Sequence, residues 1–192
     1  MGTYKQECKQ TKRAKRPLDP ARLRDLALSY VARYATSGAR LERYLKRKIR
    51  EQGWVADGPA PDVAALVERY AQLGYIDDAG FAKGKQDSLL RRGYGARRVA
   101  EVLGQDGIAA ELREDLRPGE SQLRHAALAM VRKRRFGPFS AAPPDRERRE
   151  KQVAAMLRAG HSLDFAREMV NAPSVEAAEE WAREQDDADD GN

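Results

Sequence analysis

The sequence predicts an all-α protein: three tandem three-helix (helix-turn-helix-like) repeats in an elongated, curved arrangement, with an extra C-terminal helix. Three observations lead there. Ala, Leu, Arg and Glu are plentiful while aromatics make up 7% of the 192 residues, which favours helices packed through aliphatic side chains over a sheet. Apolar residues recur at three- and four-residue spacing in one segment after another. Glycines also close the middle helix of each repeat at near-equal intervals, 54 residues from Gly53 to Gly107 and 53 from Gly107 to Gly160. A period of this size marks a repeat architecture, and units so small are expected to stack on their neighbours.

Residues 1–19 carry Lys5, Lys9, Lys12, Arg13, Lys15 and Arg16 against Glu7 and Asp19, with almost nothing apolar, and are read as a basic flexible arm. The first repeat is assigned to residues 20–76. Its first helix begins at Pro20, places Leu23, Leu26, Ala27, Tyr30, Val31 and Tyr34 on one face and ends near Thr36-Ser37-Gly38. The second turns Leu41, Tyr44, Leu45 and Ile49 inward and stops at Gly53. On its outer side Arg40, Arg43, Arg47 and Arg50 are spaced three, four and three, so that all four guanidinium groups lie along one stripe. Such a run is often only a solvated face, but Glu42 and Glu51 are the only carboxylates in this helix to pair with it. A loop with Gly58, Pro59 and Pro61 leads to a third helix, opened by Pro61 or Asp62, carrying Val63, Leu66, Val67, Tyr70 and Leu73 and closed by Gly74.

The second repeat is assigned to residues 77–118. Asp77 is the expected N-cap of a helix with a thin apolar face of Phe81, Ala82, Leu89 and Leu90. Ala96, Val99 and Leu103 mark a complete short helix, with Gly107 in the place of a left-handed C-terminal cap, and a brief helix follows near residues 109–116. Between the first two helices Arg91, Arg92, Arg97 and Arg98 crowd around Tyr94 and two glycines, more charge than a turn requires. Arg97 and Arg98 fall in the first turn of their helix, where the dipole disfavours cations unless an anion offsets the cost.

The third repeat is assigned to residues 119–172. Leu123, Ala126, Ala127, Met130 and Val131 form its first apolar face, Val153, Met156 and Leu157 precede Gly160, and Ser162 is placed to cap a helix with Phe165, Ala166, Met169 and Val170. Residues 173–192 hold a last helix with Val175, Ala178, Trp181 and Ala182, then an acidic tail of Asp186, Asp187, Asp189 and Asp190.

A net charge of +6 and 34% charged residues, with a pI near 9.5, give a surface that attracts polyanions at modest salt. The chain lacks an apolar run of membrane-spanning length and an apolar signal-peptide core, so a cytoplasmic location is expected. Cys8 has no cysteine to pair with, and His125 and His161 lack neighbours at metal-ligand spacing. Neither phosphate-cradling glycine motif is present. Asp77 and Asp78 suit helix capping better than acid–base work. No catalytic residue, metal or cofactor is expected, and the protein reads as non-enzymatic.

In order along the chain, Gly74-Tyr75-Ile76-Asp77-Asp78, Phe81-Ala82, the run from Arg91 to Val99 and Gly107-Ile108 resemble the RecX family of bacterial recombinase regulators. The likeness extends more loosely over about residues 20–172. The sequence departs from the family pattern at Gly80, at Lys85-Gln86 and at Ala96. The resemblance implies a protein that binds RecA and lies in the groove of the RecA filament on single-stranded DNA, inhibiting or destabilising that filament. Its candidate DNA- and RecA-contacting residues are Arg40, Arg43, Arg47, Arg50, Arg91, Arg92, Tyr94, Arg97 and Arg98. The expected partners are the filament and single- or double-stranded DNA, with the protein a monomer and no membrane involved. The alternative is a DNA-binding helix-turn-helix transcription regulator, whose short basic helices have the same composition.

Overall fold

The computed structural model describes residues 16–55 and 59–184; the basic arm up to Lys15, with Cys8, and the acidic tail lie outside them. The described residues are all-α, in the order α1 Pro20–Arg33, α2 Gly38–Gln52, α3 Val63–Gln72, α4 Asp78–Arg91, α5 Ala96–Gln105, α6 Ala110–Asp115, α7 Glu120–Arg134, α8 Arg146–Arg158, α9 Leu163–Asn171 and α10 Val175–Arg183. A short 3-10 turn, Gly137–Phe139, follows α7. Polar caps define most of the helix starts. Asp19, Ser37, Asp62, Asp77, Asp145, Ser162 and Ser174 each accept a hydrogen bond from a first-turn backbone N–H, satisfying a donor that has no partner within the helix.

Three apolar clusters organise these helices. The first joins Leu23 and Ala27 of α1, Leu41 and Leu45 of α2, and Val63 and Tyr70 of α3. Leu18 also lies in it, 1% exposed. Its N–H donates to Gly53 O (2.9 Å) and its carbonyl accepts from Val55 N–H (3.0 Å), forming an isolated bridge beside Trp54. The end of the segment read as an arm is therefore part of the fold, because its one leucine covers the end of α2.

The second cluster holds Ala82, Leu89 and Leu90 of α4, Val99 and Leu103 of α5, and Ile108. It also takes Ala126 from α7. The adjoining side of α7, through Ala127, Met130 and Val131, enters the third cluster with Met156 of α8, Ala166, Met169 and Val170 of α9, and Ala178 and Ala182 of α10. Helix α7 thus serves two cores. Arg124, 9% exposed, ties α10 to α7: it binds Glu120, Glu184 and Trp181 O, with its guanidinium 4.3 Å from the Trp181 ring centroid. Arg132 pairs with Glu179 of α10 in the same sense.

The three middle helices meet end to end. Helix α8 closes with Gly160 at φ +95, Gly160 N–H donating to Leu157 O and His161 N–H to Met156 O, the doubled C-terminal bond that a left-handed residue permits. The carbonyls left over face the start of α5. Gly95 N–H donates to Ala159 O (3.0 Å) and Arg97 N–H to Gly160 O (3.2 Å). Helix α5 has no side-chain cap, because the carbonyls of α8 fill that role. At the other end of α5, Ser37 Oγ donates to Asp106 O (2.6 Å) while accepting from Arg40 N–H as the cap of α2. Gly107 there packs on Ala39.

A Cβ at Gly95 would fall on the Gly160 carbonyl, closer than real Cβ atoms approach anything. Gly95→Ala is therefore expected to cost at least about 2 kcal/mol in urea unfolding, from overpacking against backbone that cannot yield. Gly84, inside α4 with open space around it, provides the control: Gly84→Ala is expected to stabilise by about 0.5–1 kcal/mol.

Candidate functional site

An open groove of about 1390 Å³ lies against α1, α2 and the start of α3. Seven cationic side chains line it, Arg33, Arg40, Arg43, Lys46, Arg47, Lys48 and Arg50, against two carboxylates, Glu42 and Asp62. Both carboxylates are engaged: Glu42 pairs with Lys46, and Asp62 caps α3. The predicted stripe of four arginines lies wholly in this groove. Its members differ in what holds them. Arg40 is 3.7 Å from Asp106 and its guanidinium carbon is 5.6 Å from the centre of the Phe81 ring, and Arg47 is 3.6 Å from Glu51. Arg43 and Arg50 are exposed and have no carboxylate partner among the described residues.

Three tyrosines that the sequence placed on inward faces also line the groove. Tyr30 stacks on Tyr44 with ring centroids 4.3 Å apart, and Tyr34 tilts against Tyr30 at 5.3 Å. Arg47 and Lys48 lie over Tyr44. The sequence signal was available: Tyr30 and Tyr34 are four residues apart, in and just after α1, and Tyr44 sits between Arg43 and Arg47.

The second predicted group, around Tyr94, is divided by the structure. Arg91 and Arg92 end α4 in solvent, Arg92 bonding Ser88 O and lying over Tyr94. Tyr94 itself is half-buried against the second core. Arg97 and Arg98 belong to the contact between α5 and α8. Arg97 Nη2 donates to Leu157 O at 2.6 Å, so the offset expected for a cation in a first turn is supplied by the C-terminal carbonyls of α8. Arg98 pairs with Glu101 one turn on, at 2.8 Å. Gly93 lies so near α7 that a Cβ would stand 2.8 Å from Met130 N.

The sequence also gave no sign of His161. It is 6% exposed, with Nε2 3.0 Å from Gly93 O across the same contact. Burial, partly opposed by that hydrogen bond, holds its imidazole below the usual pKa. Among the described residues no group of three or more His, Cys, Asp or Glu could hold a metal ion. No described helix is long and apolar enough to cross a membrane.

Fold and groove define a class of protein: an all-helical chain whose successive helix groups dock end to end and which presents a cationic, tyrosine-lined groove. Over 165 residues the chain is 31% identical to Regulatory protein RecX of Myxococcus xanthus (strain DK1622), a match covering 82% of this chain and 88% of that relative. The chain belongs to the RecX family. Regulatory protein RecX of Agrobacterium fabrum (strain C58 / ATCC 33970) is 30% identical over 158 residues, 80% of this chain and 84% of the relative. The crystal structure of RecX from Lactobacillus salivarius shares the fold with a TM-score of 0.60 at 15% identity, over 76% of this chain and 90% of that one. A second crystal structure of regulatory protein RecX gives the same TM-score at 19% identity, over 78% and 70%. No protein-family model matches the chain.

Two outcomes are expected at the α5–α8 contact. Arg97→Ala removes a charged donor from the end of α8 and is expected to cost about 1 kcal/mol in thermal or urea unfolding. The second concerns pH. Because the folded-state pKa of His161 is depressed, the stability its neutral form contributes is complete above the unfolded pKa of about 6.5 and is lost as pH falls through the lower folded value. Stability measured from pH 7.5 down to 5 should decline, and His161→Gln should flatten that decline.

Proposed function

We propose that this protein is a non-enzymatic regulator of homologous recombination and DNA repair, acting within the SOS response in the cytoplasm. In this reading it binds RecA and RecA filaments on single-stranded DNA as a monomer, without a cofactor. It inhibits the ATPase, strand-exchange and co-protease activities of RecA. The observation that carries the reading is the relationship to Regulatory protein RecX across most of both chains. The groove supports it physically. Arg40, Arg43, Arg47 and Arg50 can neutralise phosphates along a strand, while Arg91, Arg92, Tyr94, Arg97 and Arg98 form a second basic region for the filament. Contacts of this kind position a backbone without reading its sequence.

The helix-turn-helix alternative requires the first turn of a recognition helix to be free to enter a DNA groove. Here the backbone ends from which α2 and α5 start are abutted by other segments, Asp106 and Gly107 at α2 and Ala159 and Gly160 at α5. This weighs against sequence-specific readout by either helix.

The deciding measurement is RecA-dependent ATP hydrolysis on single-stranded DNA with rising amounts of this protein. Hydrolysis is expected to fall, and undiminished hydrolysis at excess protein would overturn the proposal. DNA affinity should also drop steeply with salt and depend little on sequence. Arg43→Ala and Arg50→Ala are each expected to reduce the salt slope by about one.

A further inference from the structure

We infer that the tyrosines of the groove form a stacking platform for the bases of single-stranded nucleic acid, with Tyr34 as the ring that receives a base. This rests on the proposal that the groove binds a nucleic-acid strand and specifies which form of strand it takes. Tyr44 has Tyr30 stacked upon it at 4.3 Å and two cations over its ring. Tyr34 is different. It is 53% exposed, touches only Tyr30 among the described aromatic rings, and has no described cation over it. Its backbone is the C-cap of α1, with its N–H donating to Tyr30 O, so the ring extends from a fixed point.

A large ring held half in water beside a row of arginines presents a π-face next to the charges that would hold a phosphodiester backbone. Bases in a duplex are already stacked on one another, whereas those of a single strand are free to lie on an aromatic ring. The arginines alone would attract any polyanion. The ring adds a preference for strands that carry unpaired bases, irrespective of which bases they are.

The test uses the full chain and three probes by fluorescence anisotropy: an oligothymidylate, an abasic phosphodiester strand of the same length, and a duplex of matching length. The wild-type protein is expected to bind the oligothymidylate more tightly than the abasic strand. Tyr34→Ala should weaken oligothymidylate binding by roughly tenfold and leave abasic binding unchanged. Tyr34→Phe, which keeps the ring, should bind as wild type does, and circular dichroism of both variants shows whether the helices are retained. Equal wild-type affinity for base-bearing and abasic strands, or unchanged oligothymidylate binding by a folded Tyr34→Ala, overturns the stacking platform. In that case strand binding that still weakens in Arg43→Ala leaves the groove proposal standing. Failure of the wild-type protein to bind any of the three probes at low salt overturns both.

Discussion

The end-to-end contact between helices is the constraint on which the rest of this structure depends. A helix leaves its first N–H groups and its last carbonyls without partners, and a buried unsatisfied group costs about 1–3 kcal/mol. Where α8 meets α5 the two deficits cancel: Ala159 and Gly160 carbonyls accept from Gly95 and Arg97 N–H, and Arg97 adds a side-chain donor to Leu157 O. Where α5 meets α2 the same problem is solved through Ser37, which caps α2 and donates to Asp106 O. Both solutions require the chains to approach more closely than a Cβ allows, at Gly95 and Gly160 in one contact and at Gly107 in the other. Two of the regularly spaced glycines, Gly107 and Gly160, mark helix ends that neighbours dock on, whereas Gly53 closes α2 with open space around it.

The same contacts account for residues that look misplaced in sequence. Lys85, on the face of α4 where an apolar residue would be expected, reaches to 3.5 Å from Asp106 Oδ2. Asp106 Oδ2 is buried with no hydrogen-bond partner among the described residues, so the ammonium group supplies the compensation that a buried carboxylate needs. Arg40 approaches the same carboxylate from α2 at 3.7 Å. Gly80, another departure, leaves room for Asp77, whose side chain accepts from Gly80 N–H. Asp78 then accepts from Gly38 N–H at 2.9 Å, joining the start of α4 to the start of α2.

Much of the fold was legible because it is written locally. Seven helix starts carry Ser or Asp caps, and apolar periodicity separates the helices cleanly. What was not legible lies between elements. Nothing in the spacing of Gly93 and Gly95 says that they pack against Met130, Ala159 and Gly160 rather than face solvent. The tyrosines failed for a related reason. An aromatic residue on the apolar face of an amphipathic helix is normally core, but Tyr34 lies beyond the last turn of α1 and its ring is half exposed. The arginine stripe was easier to find, since four charges at helical spacing need no tertiary information.

Position along the end-to-end chain of helices also sorts the stripe. Arg40 lies in the first turn of α2, where the partial positive charge of the helix end opposes a cation, and it is there that Asp106 from the end of α5 stands beside it. Arg50 lies in the last turn of α2, where the sign of the helix end is reversed and a guanidinium is stabilised without a counter-ion. Among the described residues Arg43 has neither an opposing carboxylate nor a ring to cover it. A phosphate approaching the groove would therefore displace an existing partner at Arg40 and at Arg47, but none among the described residues at Arg43 and Arg50. The four positions of an evenly spaced stripe are in this way held unevenly, and the docking of α2 on α5 is what ties down Arg40.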